Sequence, residues 1–235
     1  MDIKSLASSS KGNAYLISDG KTTILIDCGL PYKELNKRAG FILPTIDACF
    51  ISHEHKDHST ALNEILGAGI DTFVNGDMYR RLKLEKCHRA KICGTGDKIK
   101  VGTFLITPLA MKHDVLCLGF YIYSHETKER LFFAIDTFAI PFLPAKCDYI
   151  MLEINYQQEM IDALVNKGKI ETSVRNRVMR SHHELNTALE WLKKVDKSRL
   201  RHIYVMHLSN GNANAAQVKQ EVMKITGVPT TILDE

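Results

Sequence analysis

Three histidines and two carboxylates fall within six consecutive residues, in the run His53-Glu-His-Lys-Asp-His58. The run directly follows the apolar segment Ile46–Ile51. Imidazole and carboxylate groups are the ligands that divalent metals such as Zn²⁺, Mn²⁺ and Fe²⁺ use in proteins. A loop that serves only solubility more often carries Lys, Ser and Gly. The run therefore predicts a metal site.

Further histidine and aspartate residues follow other apolar segments. His113 comes after an apolar strand pattern, Asp136 after Phe132–Ile135 and His207 after Ile203–Met206. Residues at the ends of neighbouring strands can converge at one edge of a sheet, so these side chains are candidate ligands. A single histidine beside an apolar strand is more often structural. His113 and His207 are candidate ligands only because the chain also contains the histidine run. Together the candidates suffice for two metal ions.

The elements that position these residues can be read from apolar spacing and turn residues. Residues 13–17 and 23–26 are predicted strands, and Asp19-Gly20 between them predicts a hairpin turn. A helix is predicted over 31–39. Residues 46–51 form a buried strand and 58–66 a helix, which places the histidine run in a strand-to-helix loop.

The remainder of the chain alternates strand and helix patterns. Helices are expected over 77–86, over 156–194 with an interruption at 167–172, and over 213–225. Many strands precede a mostly helical stretch before a strand and a helix return, which favours a mixed α/β layered domain. The predicted strands cover residues 72–74, 98–101, 103–107, 118–123, 131–135, 147–152, 202–206 and 230–233.

Composition sets the broad class of the protein. With 235 residues and 45% hydrophobic content, one domain spanning residues 1–235 is the default expectation. The formal net charge of +4 is small, so the charge of the chain as a whole does not indicate a polyanionic partner. No signal-peptide pattern and no run of about 18 apolar residues occurs, so we expect a soluble cytoplasmic protein without a membrane partner. The six cysteines are expected to be buried free thiols.

With these residues the chain resembles the metallo-β-lactamase superfamily. That family's signature, H-x-H-x-D-H, matches His53–His58, and Asp27, His113, Asp136 and His207 follow the order of its other motifs. The resemblance covers nearly the whole chain. It implies an α/β fold, an αββα sandwich of two mixed β-sheets flanked by helices, with the site at one edge.

The resemblance also implies a role for each candidate ligand. His53, His55 and His113 would hold a first divalent ion, while Asp57, His58 and His207 would hold a second. Asp136 would bridge the two ions, and Asp27 would orient a ligand from behind. A hydroxide bridging the metals would be the nucleophile, with Asp57 accepting a hydrogen bond from it. The cofactors would be two Zn²⁺ or Mn²⁺ ions, with Fe²⁺ as another candidate.

Several strings resemble the YycJ-like branch of this superfamily, which is associated with phosphodiester hydrolysis and 5′-to-3′ exonuclease action on DNA. Only about 70 residues separate Asp136 from His207, which disfavours the large inserted domain of RNase J-type enzymes. The resemblance thus implies a nucleic acid substrate, with DNA favoured. The strings are Ser8–Ala14, Lys112–Asp114 followed by Gly119–Ile122, Leu152–Tyr156 and His207–Asn210.

One motif departs from that branch. Where the branch has His-Leu-Ser-Asn before its penultimate helix, this chain reads Ser181-His-His-Glu-Leu-Asn186. His183 is our first candidate for protonating the leaving oxygen and His182 the competing one. A cap at the helix that begins near Glu184 is the alternative role for the pair. Candidate phosphate-binding residues are Ser9, Ser10, Lys11, Asn13 and Ser209.

Basic residues gather in two groups. Such runs usually form solvated faces, but they would follow a nucleic acid backbone if they flank the site. The first group is Arg80, Arg81, Lys83, Lys86, Arg89 and Lys91, and the second is Lys167, Lys169, Arg175, Arg177 and Arg180.

Two rivals to a nucleic acid phosphodiesterase stay open. The first is a small-molecule hydrolase such as a cyclic phosphodiesterase, lactonase or thioesterase, because the metal motif alone does not name the substrate. A closed apolar pocket would favour it, whereas an open groove with basic walls would favour nucleic acid. The second is a binding module without catalysis, which the complete ligand set argues against. Sequence leaves the metal, the polarity of degradation and the oligomeric state undetermined.

Overall fold

The strands form two mixed β-sheets, of six and of seven strands among the described residues, and helices flank them. This confirms the predicted fold class of two mixed sheets with flanking helices. The computed structural model describes residues 1–209 and 211–233. The described residues divide into two compact units, one comprising residues 1–110 and 115–129, the other residues 111–114, 130–209 and 211–233.

The first unit contains the six-stranded sheet. Strands β1 to β3 pair antiparallel, and β3 to β6 pair parallel. A crossover connection therefore joins each strand from β3 to β5 to the next one. The strands are β1 (Asp2–Ser9), β2 (Gly12–Ser18), β3 (Thr23–Ile26), β4 (Ala48–Phe50), β5 (Thr72–Val74) and β6 (Ala90–Ile92).

Helices and further strands complete this unit. The helices are short and supply apolar side chains such as Leu35, Ile65 and Met78 to a core under the sheet. These elements are α1 (Tyr32–Arg38), α2 (Lys56–Ser59), α3 (Leu62–Gly67), α4 (Gly76–Arg81), β7 (Ile99–Val101), β8 (Phe104–Met111) and β9 (Cys117–Ser124).

The second unit is built on parallel strands. Strands β10 to β13 pair parallel, and the apolar residues of β10 and β11 are almost fully buried, as parallel strands between layers require. The elements are β10 (Arg130–Ala134), β11 (Tyr149–Glu153), α5 (Gln158–Asn166), α6 (Thr172–Ser181), α7 (Leu185–Lys194), β12 (His202–Met206), α8 (Ala215–Thr226) and β13 (Thr230–Ile232).

Polar side chains cap two helices of the second unit, α7 and α8. Glu184 accepts a hydrogen bond from Thr187 N at the start of α7, and Asn214 accepts one from Gln217 N at the start of α8. Gly227 ends α8 in the left-handed conformation at φ 73°. One face of α7, including Leu185, Ala188, Leu189, Trp191 and Leu192, is buried.

Most predicted elements are confirmed, with differences in both units. The helix predicted over 77–86 ends at Arg81 and is followed by a separate 3₁₀ turn, and the stretch predicted over 156–194 has a second break between α6 and α7. The single helix predicted over 58–66 is two helices, α2 and α3, and they meet at Ala61. Ala61 N donates to Cys28 O instead of to a carbonyl of its own helix. Strands β1 and β6 were not predicted. All six cysteines lie in the described part of the chain as reduced thiols, and five of them are buried, as expected.

Candidate metal centre

The first unit carries the histidine run on the loop after β4 and on α2. His53 and His58 are fully buried, and their ring centroids are 4.2 Å apart. The ring of His55 lies 4.6 Å from that of His53, and Asp57 Oδ2 lies 3.5 Å from His58 Nε2. The structure thus brings the four predicted ligands of this run together on one short segment.

Asp27 holds one of these histidines from behind. Its buried carboxylate accepts hydrogen bonds from Ser52 N (2.7 Å), Ser52 Oγ (2.9 Å) and His58 Nδ1 (2.7 Å). Because Nδ1 of His58 carries the proton in that bond, Nε2 is the nitrogen with a lone pair for a metal. Asp27 therefore sets both the tautomer and the ring orientation of His58.

The segment after β3 also fixes the backbone of α2. Cys28 N donates to His58 O at 2.8 Å, and Gly29 passes directly beside the carbonyl of Asp57. A Cβ at Gly29 would lie 1.7 Å from Asp57 O, so only glycine fits at this close approach. The strand end at Asp27–Gly29 is thereby locked to the loop that carries the ligands.

The β1–β2 hairpin places one candidate phosphate-binding residue beside the histidines. Asn13 is fully buried, and its Nδ2 lies 3.2 Å from His58 Nε2 and 3.0 Å from Ser9 O. Tyr15 donates its hydroxyl proton to Asn13 Oδ1 at 3.1 Å. Ser10 and Lys11 are exposed in the turn that follows Ser9.

The second unit holds a cluster of four donors. One ligand atom each from Asp136, Glu153, His182 and His207 lies within 4.8 Å of the others. Nδ1 of His207 is 2.8 Å from Asp136 Oδ1 and 3.2 Å from Glu153 Oε1. Nδ1 of His182 is 2.6 Å from Glu153 Oε1 and 3.8 Å from Asp136 Oδ1. This spacing suits donors that share one cation.

His113 belongs to the same unit and faces the same carboxylate. Its Nδ1 donates to the carbonyl of Ser181 at 3.0 Å, which leaves Nε2 pointing toward Asp136 Oδ2 at 3.9 Å and Asp114 Oδ1 at 3.0 Å. Burial lowers the pKa of His113 despite these carboxylates. A neutral imidazole of fixed tautomer is the form that ligates metals.

The electrostatics of the cluster favour positive charge. Burial opposes protonation of His207, but Asp136 and Glu153 outweigh it and raise its pKa to about 10. Burial likewise opposes protonation of His182, yet the adjacent Glu153 raises its pKa. Burial raises the pKa of Glu153, but the positive charge of His182 together with the hydrogen bonds from His182 and His207 lowers it. Two buried carboxylates that stabilise cationic rings also suit a divalent metal, so the donor set fits the expected ion.

Glu153 was missed by the sequence analysis. It is fully buried at the end of β11, and its second oxygen accepts from Thr137 N at 3.0 Å. Two residues on, Asn155 donates to His207 O at 2.8 Å, and its backbone N donates to His183 O. Glu153 ends an apolar strand as Asp136 and His207 do, and that shared position was the available signal.

His182 and His183 face different surroundings. His182 joins the donor cluster, with its ring centroid 5.1 Å from that of His207. His183 is fully buried, and burial lowers its pKa. The side chain lines a cavity of about 750 Å³ formed by residues 139–143 and one face of α7. Of the two, only His182 is brought to the cluster.

The loop after His207 contains the last candidate. Ser209 is half-buried, and its backbone N donates to Asn155 O at 3.0 Å. Asn210, the final residue of the predicted string, lies outside the described residues.

Three of the candidate residues share an unusual backbone conformation. Asp27, Asp136 and His207 have φ values of 60°, 46° and 53°, in the left-handed region. Each comes at or just beyond the end of a strand, where the chain must turn sharply. This turn directs the side chain toward the strand end instead of to a face of the sheet.

The sequence matches the family model described as "Beta-lactamase superfamily domain" over residues 22–207, well over half of the chain. This chain belongs to the β-lactamase superfamily. Exodeoxyribonuclease WalJ of Streptococcus pneumoniae is 22% identical over 222 residues, which cover 88% of this chain and 81% of WalJ. The predicted resemblance to the metallo-β-lactamase superfamily and its YycJ-like branch is confirmed.

Solved structures show the same fold. The metallo-β-lactamase fold protein YhfI from Bacillus subtilis is 18% identical, with a TM-score of 0.76, and the match covers 99% of this chain and 95% of YhfI. The short form of human tRNase Z is 13% identical with a TM-score of 0.66, covering 100% and 97%. These matches show that the chain has the metallo-β-lactamase fold. The family match and the His/Asp cluster indicate a hydrolase that binds divalent metal.

Other predictions stay open. Among residues 1–209 and 211–233, no helix is both long and apolar enough to cross a membrane. The expectations of a single domain and a cytoplasmic location stay predictions, as do the metal identity and the role of each site residue.

Proposed function

We propose that this protein is a two-metal phosphodiesterase that removes nucleotides from DNA, with 5′-to-3′ polarity. The observation that carries metal-dependent hydrolysis is the cluster of Asp136, Glu153, His182 and His207, whose donor atoms lie within 4.8 Å of one another. The substrate assignment is supported by the similarity to exodeoxyribonuclease WalJ over 88% of the chain.

Ligand roles in this proposal follow the family resemblance. His53, His55 and His113 would hold one ion, Asp57, His58 and His207 would hold the other, and Asp136 would be shared by the two. When bound, two divalent ions stabilise charge on the attacked phosphate and lower the pKa of a coordinated water. The Nε2 atoms of His58 and His113 suit this role, because hydrogen bonds to Asp27 and to Ser181 O fix their tautomers.

Protein groups supply the remaining chemistry. Asp57, half-buried beside His58, accepts a hydrogen bond from the attacking water and orients it. His182 donates a proton to the leaving oxygen, since its Nδ1 is held by Glu153 and its ring stands next to that of His207. Asn13 binds a phosphate oxygen through Nδ2, while Ser209 and the Ser9–Lys11 turn contact the substrate more peripherally.

The second candidate function is hydrolysis of a small ester, lactone, thioester or cyclic phosphate. The cavity at residues 139–143 favours it, because Ile140, Pro141, Phe142 and Leu143 make one wall apolar. Such a wall suits an acyl group.

The test is degradation of 5′-labelled single- and double-stranded DNA by chelator-treated protein with Mn²⁺ or Zn²⁺ restored. We expect metal-dependent release of short labelled products from the 5′ end and at least a 100-fold loss in Asp136→Asn. Asp71→Asn is the matched control, since Asp71 is a partly exposed aspartate paired with Arg89. DNA that stays intact under both metals while a small ester or cyclic phosphate is cleaved would replace the proposal with the second candidate.

A further inference from the structure

The basic segment that follows β5 has no role in the proposed chemistry. Residues 76–92 contain six lysine and arginine residues and two acidic residues, which gives a formal net charge of +4. The whole chain also carries +4, so the charges of the remaining residues balance and this segment holds the excess. It comprises α4, the 3₁₀ turn Leu84–Lys86 and β6. Positive charge concentrated on one short segment creates a local field that attracts polyanions.

Two lysines of this segment remain available to a partner. Lys83 and Lys86 are exposed on either side of the 3₁₀ turn, and no carboxylate among residues 1–209 and 211–233 lies within ion-pair distance of them. Glu85 stands between them in the sequence, so the two lysines keep a net positive charge. The arginines of the segment are already paired: Arg80 with Asp77, Arg81 with Glu54 and Arg89 with Asp71.

The backbone of Lys83 is in the left-handed region, at φ 54° and ψ 49°. A residue with a Cβ loses stability in this conformation, and glycine would avoid the loss. A strained residue of this kind points to a use for its side chain.

The segment starts at the same edge of the sheet as the histidine run. Strands β4 and β5 are parallel neighbours, and Ile51 N donates to Phe73 O at 2.9 Å just where both strands end. The loop with His53–His58 follows β4, and α4 follows β5. Asn75 fixes the start of α4, because its side chain accepts a hydrogen bond from Met78 N at 2.8 Å.

An ion pair also joins α4 to the loop itself. Glu54 stands between the candidate ligands His53 and His55, and its carboxylate pairs with the guanidinium group of Arg81 at the end of α4. Lys83 follows Arg81 by two residues, so their Cα atoms are no more than about 7.6 Å apart. That reach is about two steps of a DNA strand, which rises about 3.4 Å per nucleotide.

We propose that Lys83 and Lys86 bind the phosphodiester backbone of the substrate DNA, beyond the phosphate that is attacked at the histidine run. The assignment rests on the proposed nuclease function. Lysine ammonium groups act on phosphates as point charges and carry no base readout, so this surface adds affinity for DNA of any sequence. DNA suits it better than an acidic protein, because a strand held at the adjacent loop is already within reach of the lysines.

The test measures binding at a series of salt concentrations, with Mn²⁺-loaded protein and a DNA duplex whose terminal linkages are phosphorothioates that resist cleavage. Each phosphate contact contributes about 0.9 to the slope of log K against log salt. We therefore expect the slope to fall by about 1 in Lys83→Gln and in Lys86→Gln, and by about 2 in the double variant. Lys219→Gln, at an exposed lysine on α8, should keep the parent slope.

A second variant at the same position separates DNA binding from folding. Lys83→Gly relieves the left-handed backbone, so its thermal midpoint should be no lower than that of the parent protein. Its salt slope should nevertheless fall as in Lys83→Gln. A stable Lys83→Gly protein with the parent slope would overturn the assignment of Lys83.

The outcomes separate this proposal from the nuclease assignment. DNA binding that depends on Lys83 and Lys86 supports the surface, even if unmodified DNA is not cleaved and the nuclease assignment fails. Cleavage of DNA with unchanged slopes in all the lysine variants overturns the surface and leaves the nuclease assignment standing. Lysine-dependent binding of polyglutamate without binding of DNA also overturns it and makes the segment a docking surface for an acidic protein.

Discussion

Asp27 Oδ2 accepts a 2.7 Å hydrogen bond from His58 Nδ1, and both side chains are completely buried. Asp27→Asn keeps the shape and an acceptor for Ser52 N, but it removes the charge that fixes the tautomer of His58. We expect metal affinity to fall about 10- to 100-fold, the usual effect of losing such a partner. Competition against a metal chelator measures the change.

The control for that experiment is Asp19→Asn, at another well-buried aspartate of the first unit that bonds only to neutral donors. It should leave metal affinity unchanged. Equal losses in both variants would mean that Asp27 acts only through general stability.

Glu153 should matter as much as the predicted ligands. Its oxygens accept hydrogen bonds from the rings of His182 and His207 and from Thr137 N. Glu153→Gln removes a buried charge that stabilises both rings, so we expect at least tenfold weaker metal retention and a loss of about 1–3 kcal/mol in the free energy of unfolding. Elemental analysis after gel filtration and urea unfolding of the chelated protein measure the two effects. A variant that keeps its metal would remove Glu153 from the site.

Helix α6 should contribute to DNA binding through unpaired cations. Arg175 is paired with Asp162, but no carboxylate of the described residues lies within ion-pair distance of Arg177 or Arg180. If each contacts one phosphate, Arg177→Gln or Arg180→Gln should reduce the slope of log K against log salt by about 1. Binding isotherms with catalytically inactive Asp136→Asn protein give the slope.

The comparison for the arginines is Lys224→Gln on α8, whose lysine is paired with Glu221. Its slope should match that of the parent protein. Unchanged slopes in the arginine variants would make α6 an ordinary solvated face.

Asp19 should make stability depend on pH. Burial opposes its ionisation, but hydrogen bonds from Ser124, Thr103 and two backbone amides outweigh burial and lower its pKa. The contribution of a carboxylate with a lowered pKa is present above the unfolded value, about 3.9, and is lost as pH falls through the folded value. The free energy of unfolding of the parent should exceed that of Asp19→Asn by about 1–3 kcal/mol near pH 7. This difference should shrink below about pH 4. Urea unfolding at several pH values measures it, and a gap independent of pH would contradict this assignment.

The fold was predictable where apolar patterning is strong. Strands β10 and β11 are nearly continuous buried apolar runs, a pattern typical of parallel strands. Strand β1 was missed because its sequence is polar at both ends and its register shifts between Ser5 and Ala7, which breaks the alternation of faces. The break between α2 and α3 depends on the bond from Ala61 N to Cys28 O, a tertiary contact that local sequence does not encode.

The site was predictable from residue types at strand ends. Which of two neighbouring residues in the sequence belongs to the site was not. His182 and His183 are adjacent and chemically identical, so only burial and contacts separate the ring beside Glu153 from the ring in the cavity. Glu153 was overlooked because a single acid after a strand has no signature without its partners. Its role depends on the approach of His182 and His207, which are 29 and 54 residues away in sequence.

The left-handed backbone of Asp136 implies a conflict between durability and activity. A non-glycine residue held at φ 46° costs stability, on the order of 1 kcal/mol, and glycine would relieve that cost. Glycine would also remove the buried carboxylate that stabilises the protonated ring of His207, so relief of backbone strain and loss of that charge oppose each other at this position. Selection for catalysis would reject the same change, so a deliberate stabilisation programme has to leave this residue untouched.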